Sequence, residues 1–441
     1  MRNHIEILSK IKPFKKKIII SSDKSISIRS VLLASQAIGK SRLYNLLESE
    51  DVINTLKSIS KLGIKYKKEK NCYIIHGYGL NSFEAKRNVT IDAGNSGTLA
   101  RLILGLLVNV KKCIILKGDN SLSKRDFSRV TNPLKNFGAI ISSKKNSLPV
   151  KILGSEFLRP IDYIEDLGSA QCKSSVMLAA IKTPGITKIK AKKSRNHTEL
   201  LFKYLKIPMK IFKTKNYDYI KIKGPCNYRG FDYIIPGDIS SCSFFLVLTL
   251  LSNKSKIKVK NVNINNTRTG IIKILNKMNA KIYFKNKKNY NGELVADIFV
   301  TSKKKLKGIN CPKNLNSSAI DEFLVIFLVA AKANGVSTFR DLGELNKKES
   351  PRLDLALKFL DMIGIKTLRN KNDVKIYGNP NLKLKGDYIV KKFMKDHRIF
   401  MMACVAALTF GGKWKIYDKN SIKTSFPEFL VKIKELGAKI I

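Results

Sequence analysis

The sequence predicts an α/β (α+β) chain made of six similar units. Three observations carry this: a recurring helix-to-strand phrase, alternating strand and helix patterns between its copies, and a length of 441 residues that accommodates six such stretches. The phrase is an amphipathic run closing on a hydrophobic pair and a Gly or polar residue before a strand. It occurs at Lys61-Leu62-Gly63-Ile64, Asn136-Phe137-Gly138-Ala139, Tyr204-Leu205-Lys206-Ile207, Lys277-Met278-Asn279-Ala280, Met362-Ile363-Gly364-Ile365 and Glu435-Leu436-Gly437-Ala438. Copies lie roughly 70 to 85 residues apart, longer than solenoid repeats, so each unit holds several strands and helices. The first unit sets the pattern. Lys17 to Ile20 reads as a strand, Ser27 to Ile38 has helical apolar spacing, and Asp51 to Leu62 is a second helix closed by Gly63. Glycine closes helices in many folds, so the spacing alone does not fix the architecture.

At 44% hydrophobic residues the chain can bury substantial cores in two or three domains. The first residues, Met1 to Phe14, lack an apolar h-region, no stretch approaches the roughly 20 apolar residues of a membrane span, and the chain reads as cytoplasmic. Seven cysteines without a CxxC pair indicate reduced thiols, with no disulfide framework and no zinc site. The formal net charge is +51. Its lysines are spread through every segment, as in Lys281 to Gly292, with no basic tail and no aromatic-interleaved RNA motif. Most of this charge therefore reads as solvated faces, and a minority as the lining of a site for very acidic substrates.

Four segments pair cations with features suited to anions or proton transfer. Ser22 to Arg29 brings hydroxyls, Lys24 and Arg29 to a helix start, but lacks P-loop glycines, which argues against a nucleoside triphosphate. Asp92 to Thr98 is a glycine turn leading to Arg101, where the backbone can approach a ligand closely. Lys348-Glu349-Ser350-Pro351-Arg352 and Asp396-His397-Arg398 set acids beside cations, as anion binding combined with proton transfer requires. Ser169 and Gln171, and Arg195 with His197, open two further helices. His197 and His397 lie too far from other ligand types in sequence for a metal and read as orienting residues. Each of these segments, taken singly, also fits a surface ion pair or a helix cap.

In order along the chain, these segments resemble the EPSP synthase family from about Ile18 to the C-terminus. The resemblance rests on Lys24-Ser25-Ile26-Ser27 with Arg29, Gly94 to Thr98 with Arg101, Gly118 to Arg125, Ser169-Ala170-Gln171, Ser194 to Glu199, Pro236 to Ser241, Ile320 to Phe323, Lys348 to Arg352, Asp396 to Ile399 and Ser425 to Phe429. Glu48 to Thr55 and Asn266 to Gly270 look most like the class II bacterial branch. The resemblance implies an enolpyruvyl transferase fold: a two-domain inside-out α/β barrel with six βαβαββ repeats. One domain would span 21–237 and the other 1–20 plus 238–441, closing around substrates to exclude water. It also implies a monomer without cofactor or metal, whose partners are shikimate 3-phosphate and phosphoenolpyruvate and no specific nucleic acid.

By that resemblance shikimate 3-phosphate meets Lys24, Ser25, Arg29, Ser169, Gln171, Arg195, Asp321 and Lys348, and phosphoenolpyruvate meets Lys24, Gly97, Arg125, Gln171, Arg352 and Arg398. Asp321 takes the proton of the 5-hydroxyl, and Glu349, with Lys24, protonates the methylene carbon. Gly97, where tolerant class II members carry Ala, implies inhibition by glyphosate. The chain departs from the family at Ser21-Ser22, Ile28, Asp126, Asn196, Pro351 and Phe400. Of these, Pro351 bears most on the site, because it restricts Ser350 and so the placing of Arg352. Two other readings make different demands. UDP-N-acetylglucosamine 1-carboxyvinyltransferase needs a reactive loop cysteine, which Asn120 to Arg125 lacks, and a basic nucleic-acid-binding protein of related fold needs salt-sensitive retention of RNA or DNA.

Overall fold

A computed structural model describes residues 3–84, 88–303 and 305–441. Its described residues form six sheets. A parallel pair joined through a helix, followed by an antiparallel return, recurs among them. Val89–Asp92 lies parallel to Ile114–Lys117, which pairs antiparallel with Val150–Leu153 and through it with Ile140–Ser143. Asp162–Glu165, Gly185–Lys192, Tyr217–Gly224 and Met209–Lys213 repeat the pattern. With the intervening helices Gly97–Leu106, Ser128–Asn136, Ala170–Ala180 and His197–Tyr204, each block reads βαβαββ.

Three sheets borrow a strand from elsewhere in the chain, His4–Ile7 completing that of Leu384–Val390 and Gly411–Tyr417. Asp232–Ile234 completes the sheet of Ile38–Tyr44, Cys72–Tyr78 and Lys65–Lys68, and Lys15–Ile19 completes that of Lys256–Asn263, Glu293–Thr301 and Ile282–Tyr290. The chain divides accordingly into two compact units. The N-terminal unit comprises Ser22–Ile235 with Asn289–Glu293, and the C-terminal unit holds the remainder. These limits differ from the expected 20/21 and 237/238. Ser21 accepts a hydrogen bond from the Asp238 amide (2.9 Å), which keeps both with the C-terminal unit. Residues 289–293 join the N-terminal unit through the Ile234 amide on Asn291 Oδ1 (3.3 Å) and the buried contact of His197 Nδ1 with Glu293 Oε1 (2.5 Å).

The helices occupy the interior and the sheets turn one face outward. Every residue of Ile239–Leu250 and of His397–Phe410 is buried, as expected for helices apolar on all sides. The strands alternate instead. In Tyr217–Gly224, Asp218, Ile220, Ile222 and Gly224 are buried, whereas Tyr219, Lys221 and Lys223 are exposed. Much of the +51 charge is this outward set of lysines. No described helix is long and apolar enough to cross a membrane.

Among the described residues two lysines lie inside: Lys173, paired with Glu199 Oε1 (2.5 Å), and Lys182. Lys182 Nζ is buried, donates to Leu80 O (2.7 Å) and Asn109 Oδ1 (2.8 Å), and burial pushes its pKa down to about 7. The unfolded chain, with a lysine near pKa 10.4, holds a proton that the folded chain has released between about pH 7 and pH 10. This group's contribution to stability therefore rises with pH through that window and is lowest and flat below it. Lys182→Met is expected to remove that rise. Urea midpoints of wild type and variant across the window should diverge as pH increases, and parallel curves would contradict the burial argument.

Candidate active site

In the N-terminal unit, the side chains of interest sit at the first turns of buried helices. Asp23 caps Lys24–Ala34 by accepting from the Ile26 amide (2.9 Å), which places Lys24 and Ser25 on the opening turn. Lys24 Nζ pairs with Asp51 Oδ2 at 2.8 Å. One turn on, buried Arg29 donates to Thr198 Oγ1 (2.9 Å), Ser174 Oγ (3.2 Å) and the Ser25 carbonyl (3.1 Å), tying three helices together. Ser169 Oγ caps Ala170–Ala180, accepting from the Cys172 amide (3.3 Å). Arg195 lies half-buried just before His197–Tyr204.

A second cluster of the same unit surrounds Gly97, capped by Ser96. Arg101 Nη1 donates to Gln171 Oε1 (2.8 Å), and Gln171 Nε2 donates to Thr98 Oγ1 (3.0 Å), so the amide is held at both ends. Arg125 Nη2 donates to Asn95 Oδ1 (3.2 Å). A Cβ on Gly97 would stand 2.9 Å from Nη1 of both Arg101 and Arg125. The missing methyl therefore leaves room for two guanidinium groups beside a helix N-terminus, an arrangement that attracts anions. Asp126, at a departure from the family pattern, accepts from the Ser128 amide (2.8 Å) at the start of Ser128–Asn136.

In the C-terminal unit the centre is Arg352, only 1% exposed. Its Nη2 lies 2.6 Å from Glu349 Oε2, its Nε 2.9 Å from Asp396 Oδ2, and its Nη1 3.4 Å from Asp321 Oδ1. Burial opposes its charge, but Asp396, Glu349 and Asp321 outweigh burial and hold its pKa above the ordinary arginine value. Asp396 shows the converse. Burial pushes its carboxyl up, while Arg352 and then His397 hold it below the usual aspartate range. Lys348 Nζ approaches Asp321 Oδ1 at 3.5 Å, and Arg398 Nη1 donates to the Asp321 carbonyl (2.7 Å). Six residues from three sequence segments thus share one network. Pro351, the feared departure, leaves Arg352 seated. With φ −71° and ψ 75° it centres an inverse γ-turn in which the Arg352 amide donates to Ser350 O (2.8 Å), and Ser350 Oγ bonds Asp396 Oδ2 (2.8 Å).

Several partners were not anticipated from sequence. Asp51 is far from Lys24 along the chain. The spacing of Arg101 from Gly97, one turn, does place it on the same helix face and was a usable signal. Arg268 is buried and donates to Asp238 Oδ1 (3.0 Å) and Ser240 Oγ (2.7 Å), and Ser240 Oγ in turn donates to Glu322 Oε1. No pattern within Asn266 to Gly270 announces that. Among the described residues, no group of three or more His, Cys, Asp or Glu is arranged to hold a metal ion.

A family model described as EPSP synthase (3-phosphoshikimate 1-carboxyvinyltransferase) matches residues 8–433. A 3-phosphoshikimate 1-carboxyvinyltransferase of Ruthia magnifica subsp. Calyptogena magnifica is 39% identical over 422 residues, 96% of this chain and 95% of that protein. Its counterpart from Zymomonas mobilis is 37% identical over 435 residues, 98% of this chain and 96% of that protein. The solved EPSP synthase of Acinetobacter baumannii superposes with a TM-score of 0.87 at 32% identity, covering 99% of both chains. The enolpyruvyl transferase NikO of Streptomyces tendae shares the fold, with a TM-score of 0.78 at 13% identity.

Removing Asp396 should strip the buried Arg352 guanidinium of its closest bidentate partner. Asp396→Ala is expected to cost about 3–5 kcal/mol in urea unfolding, the usual cost of breaking a buried ion pair. A loss under about 1 kcal/mol would be that of a surface pair and would contradict this placement.

Proposed function

The chain belongs to the EPSP synthase family, with the inside-out α/β fold of the enolpyruvyl transferases. From that premise we propose how its residues carry out the family reaction: transfer of the enolpyruvyl group of phosphoenolpyruvate to the 5-hydroxyl of shikimate 3-phosphate, giving 5-enolpyruvylshikimate 3-phosphate and phosphate. The observation that carries the assignment is the Arg352 network, in which two carboxylates, Asp321 and Glu349, share one buried cation. Asp321, flanked by Lys348 and Arg352, accepts the 5-hydroxyl proton as the oxygen attacks C2 of phosphoenolpyruvate. Glu349, with Lys24, donates a proton to C3, which becomes a methyl group in a tetrahedral ketal. Glu349 takes a methyl proton back as the C2–O bond to phosphate breaks and the double bond re-forms, and the hydroxyl proton passes from Asp321 to the departing phosphate.

The binding assignments follow the resemblance to the family, and the charge and hydrogen-bonding capacity of these side chains are consistent with them. Shikimate 3-phosphate is matched to Lys24, Ser25, Arg29, Ser169, Gln171, Arg195, Asp321 and Lys348. Phosphoenolpyruvate is matched to Lys24, Gly97, Arg125, Gln171, Arg352 and Arg398. The substrates bring about five negative charges between them, which converging guanidinium and ammonium groups stabilise in charge-assisted bonds. We assign domains at 21–237 and at 1–20 plus 238–441, and a monomer working in the cytoplasm.

Phosphate release by the purified protein should require both substrates. Asp321→Asn and Glu349→Gln are expected to lower kcat by about 10²–10⁴-fold each, the usual worth of a positioned acid or base. Release with UDP-N-acetylglucosamine in place of shikimate 3-phosphate, or full activity in either variant, would overturn the assignment.

Gly97→Ala puts a methyl against the flexible ends of Arg101 and Arg125. The variant should fold normally and raise the KM for phosphoenolpyruvate about tenfold, the loss of roughly one hydrogen bond to a charged group. The KM for shikimate 3-phosphate should stay nearly unchanged. Glyphosate should inhibit the wild type and act more weakly on the variant. Equal inhibition of both would contradict a role for the open glycine.

A further inference from the structure

The sheet formed by Lys15–Ile19, Lys256–Asn263, Glu293–Thr301 and Ile282–Tyr290 presents a face that no linear motif foreshadows. Its inner side chains, among them Ile18, Val259, Ile298 and Val300, belong to the core. On the outer side one row crosses all four strands. Lys17 is in register with Lys258, Lys258 with Phe299, and Phe299 stacks on Tyr283 with ring centroids 5.2 Å apart and planes 5° apart. Lys258 Nζ lies 5.1 Å from the centre of the Phe299 ring, and Lys285 Nζ lies 5.8 Å from Phe299 and 5.9 Å from Tyr283. Tyr283 is 49% exposed.

The charge on this face is one-sided. Two-residue alternation puts Lys15, Lys17, Lys256, Lys258 and Lys260 outward with Lys285. Among the described residues of these strands the outward acid is Asp297, already bound by Lys258 Nζ (2.9 Å) and Asn286 Nδ2 (2.8 Å). Lys17 beside Lys260 pushes the Lys260 ammonium below its usual range. Crowded ammonium groups favour a polyanion, and a stacked aromatic pair among them favours one whose charges alternate with flat rings. A double helix hides those rings and a single strand offers them.

We propose that this sheet face is a docking surface for single-stranded nucleic acid, read through phosphates and base stacking without sequence preference. It is separate from the residues assigned to enolpyruvyl transfer.

The test is fluorescence anisotropy of a labelled mixed-sequence single-stranded 12-mer with the full-length protein, competed by the unlabelled strand, by its duplex and by inorganic polyphosphate at equal phosphate concentration. The unlabelled strand should compete at least tenfold better than duplex or polyphosphate. Phe299→Ala and Tyr283→Leu should each weaken 12-mer binding about five- to tenfold, the usual worth of one base–aromatic stack, while leaving polyphosphate binding and phosphate-release activity unchanged. Tyr283→Leu keeps the apolar area at a half-exposed site, so it reports on stacking even where Phe299→Ala unfolds. Lys17→Ala should reduce the slope of log affinity against log salt by about 0.7, the value for one phosphate contact on a single strand. Equal competition by polyphosphate, or wild-type 12-mer affinity in Tyr283→Leu, would overturn the proposal and leave only diffuse attraction to a basic protein.

Discussion

Taking a guanidinium group out of water is costly unless charged partners and hydrogen bonds go with it, and Arg352 is the place where this chain meets that constraint with carboxylates. Its planar fork reaches Asp396, Glu349 and Asp321 at once. A lysine, with one compact charge, could not hold three acids in such fixed directions. The consequence is chemical as well as structural. Asp396 stays ionised in the interior and caps His397–Phe410 by accepting from the Arg398 amide (2.9 Å), so the pair that makes burial possible also sets where Arg398 stands. Asp321 and Glu349 inherit fixed positions from the same cation, as the proton transfers proposed for them require.

The fold supplies such sites repeatedly because its helices are interior. An apolar helix wrapped by other elements loses water along its length and keeps polar groups only at its ends, where unpaired amides attract anions. Lys24, Gly97, Gln171 and Arg398 fall in the first turn of such a helix, and Arg352 opens a half-buried one. Sheets left on the outside need polar outer faces, and in this sequence lysine fills them. The extreme charge and the acidic-substrate chemistry therefore have different origins: the first is spread over strand exteriors, the second is concentrated at a few helix starts.

Much of this was legible in the sequence because it is local. Helix-closing phrases report the helix ends, and Lys24, Gly97 and Arg398 announce themselves through the residues around them. What was not legible depends on pairings across long separations. Nothing near Lys24 points to Asp51, and nothing near Arg268 points to Ser240 and Glu322. Pro351 was read as a threat to Arg352, because the rule for residues before proline concerns backbone angles and not the γ-turn that absorbs them. The compact units differ from the expected domain limits by a residue or two at Ser21 and Pro236-Gly237, and they place residues 289–293 with the N-terminal unit through Glu293 meeting His197, a contact without local signature. The Lys17–Lys258–Phe299–Tyr283 row was hidden for the same reason.

Glu349, held by Arg352, is proposed to protonate the methylene carbon of phosphoenolpyruvate. Running the reaction in D2O and following the vinyl protons by NMR tests this most directly, since a methyl intermediate exchanges one of its hydrogens with solvent. The account requires deuterium in the methylene of the product and of recovered phosphoenolpyruvate, only with shikimate 3-phosphate present and strongly reduced in Glu349→Gln. Product formed at normal rate with its methylene fully protiated would mean that the carbon is never protonated, and would contradict the roles given to the network around Arg352.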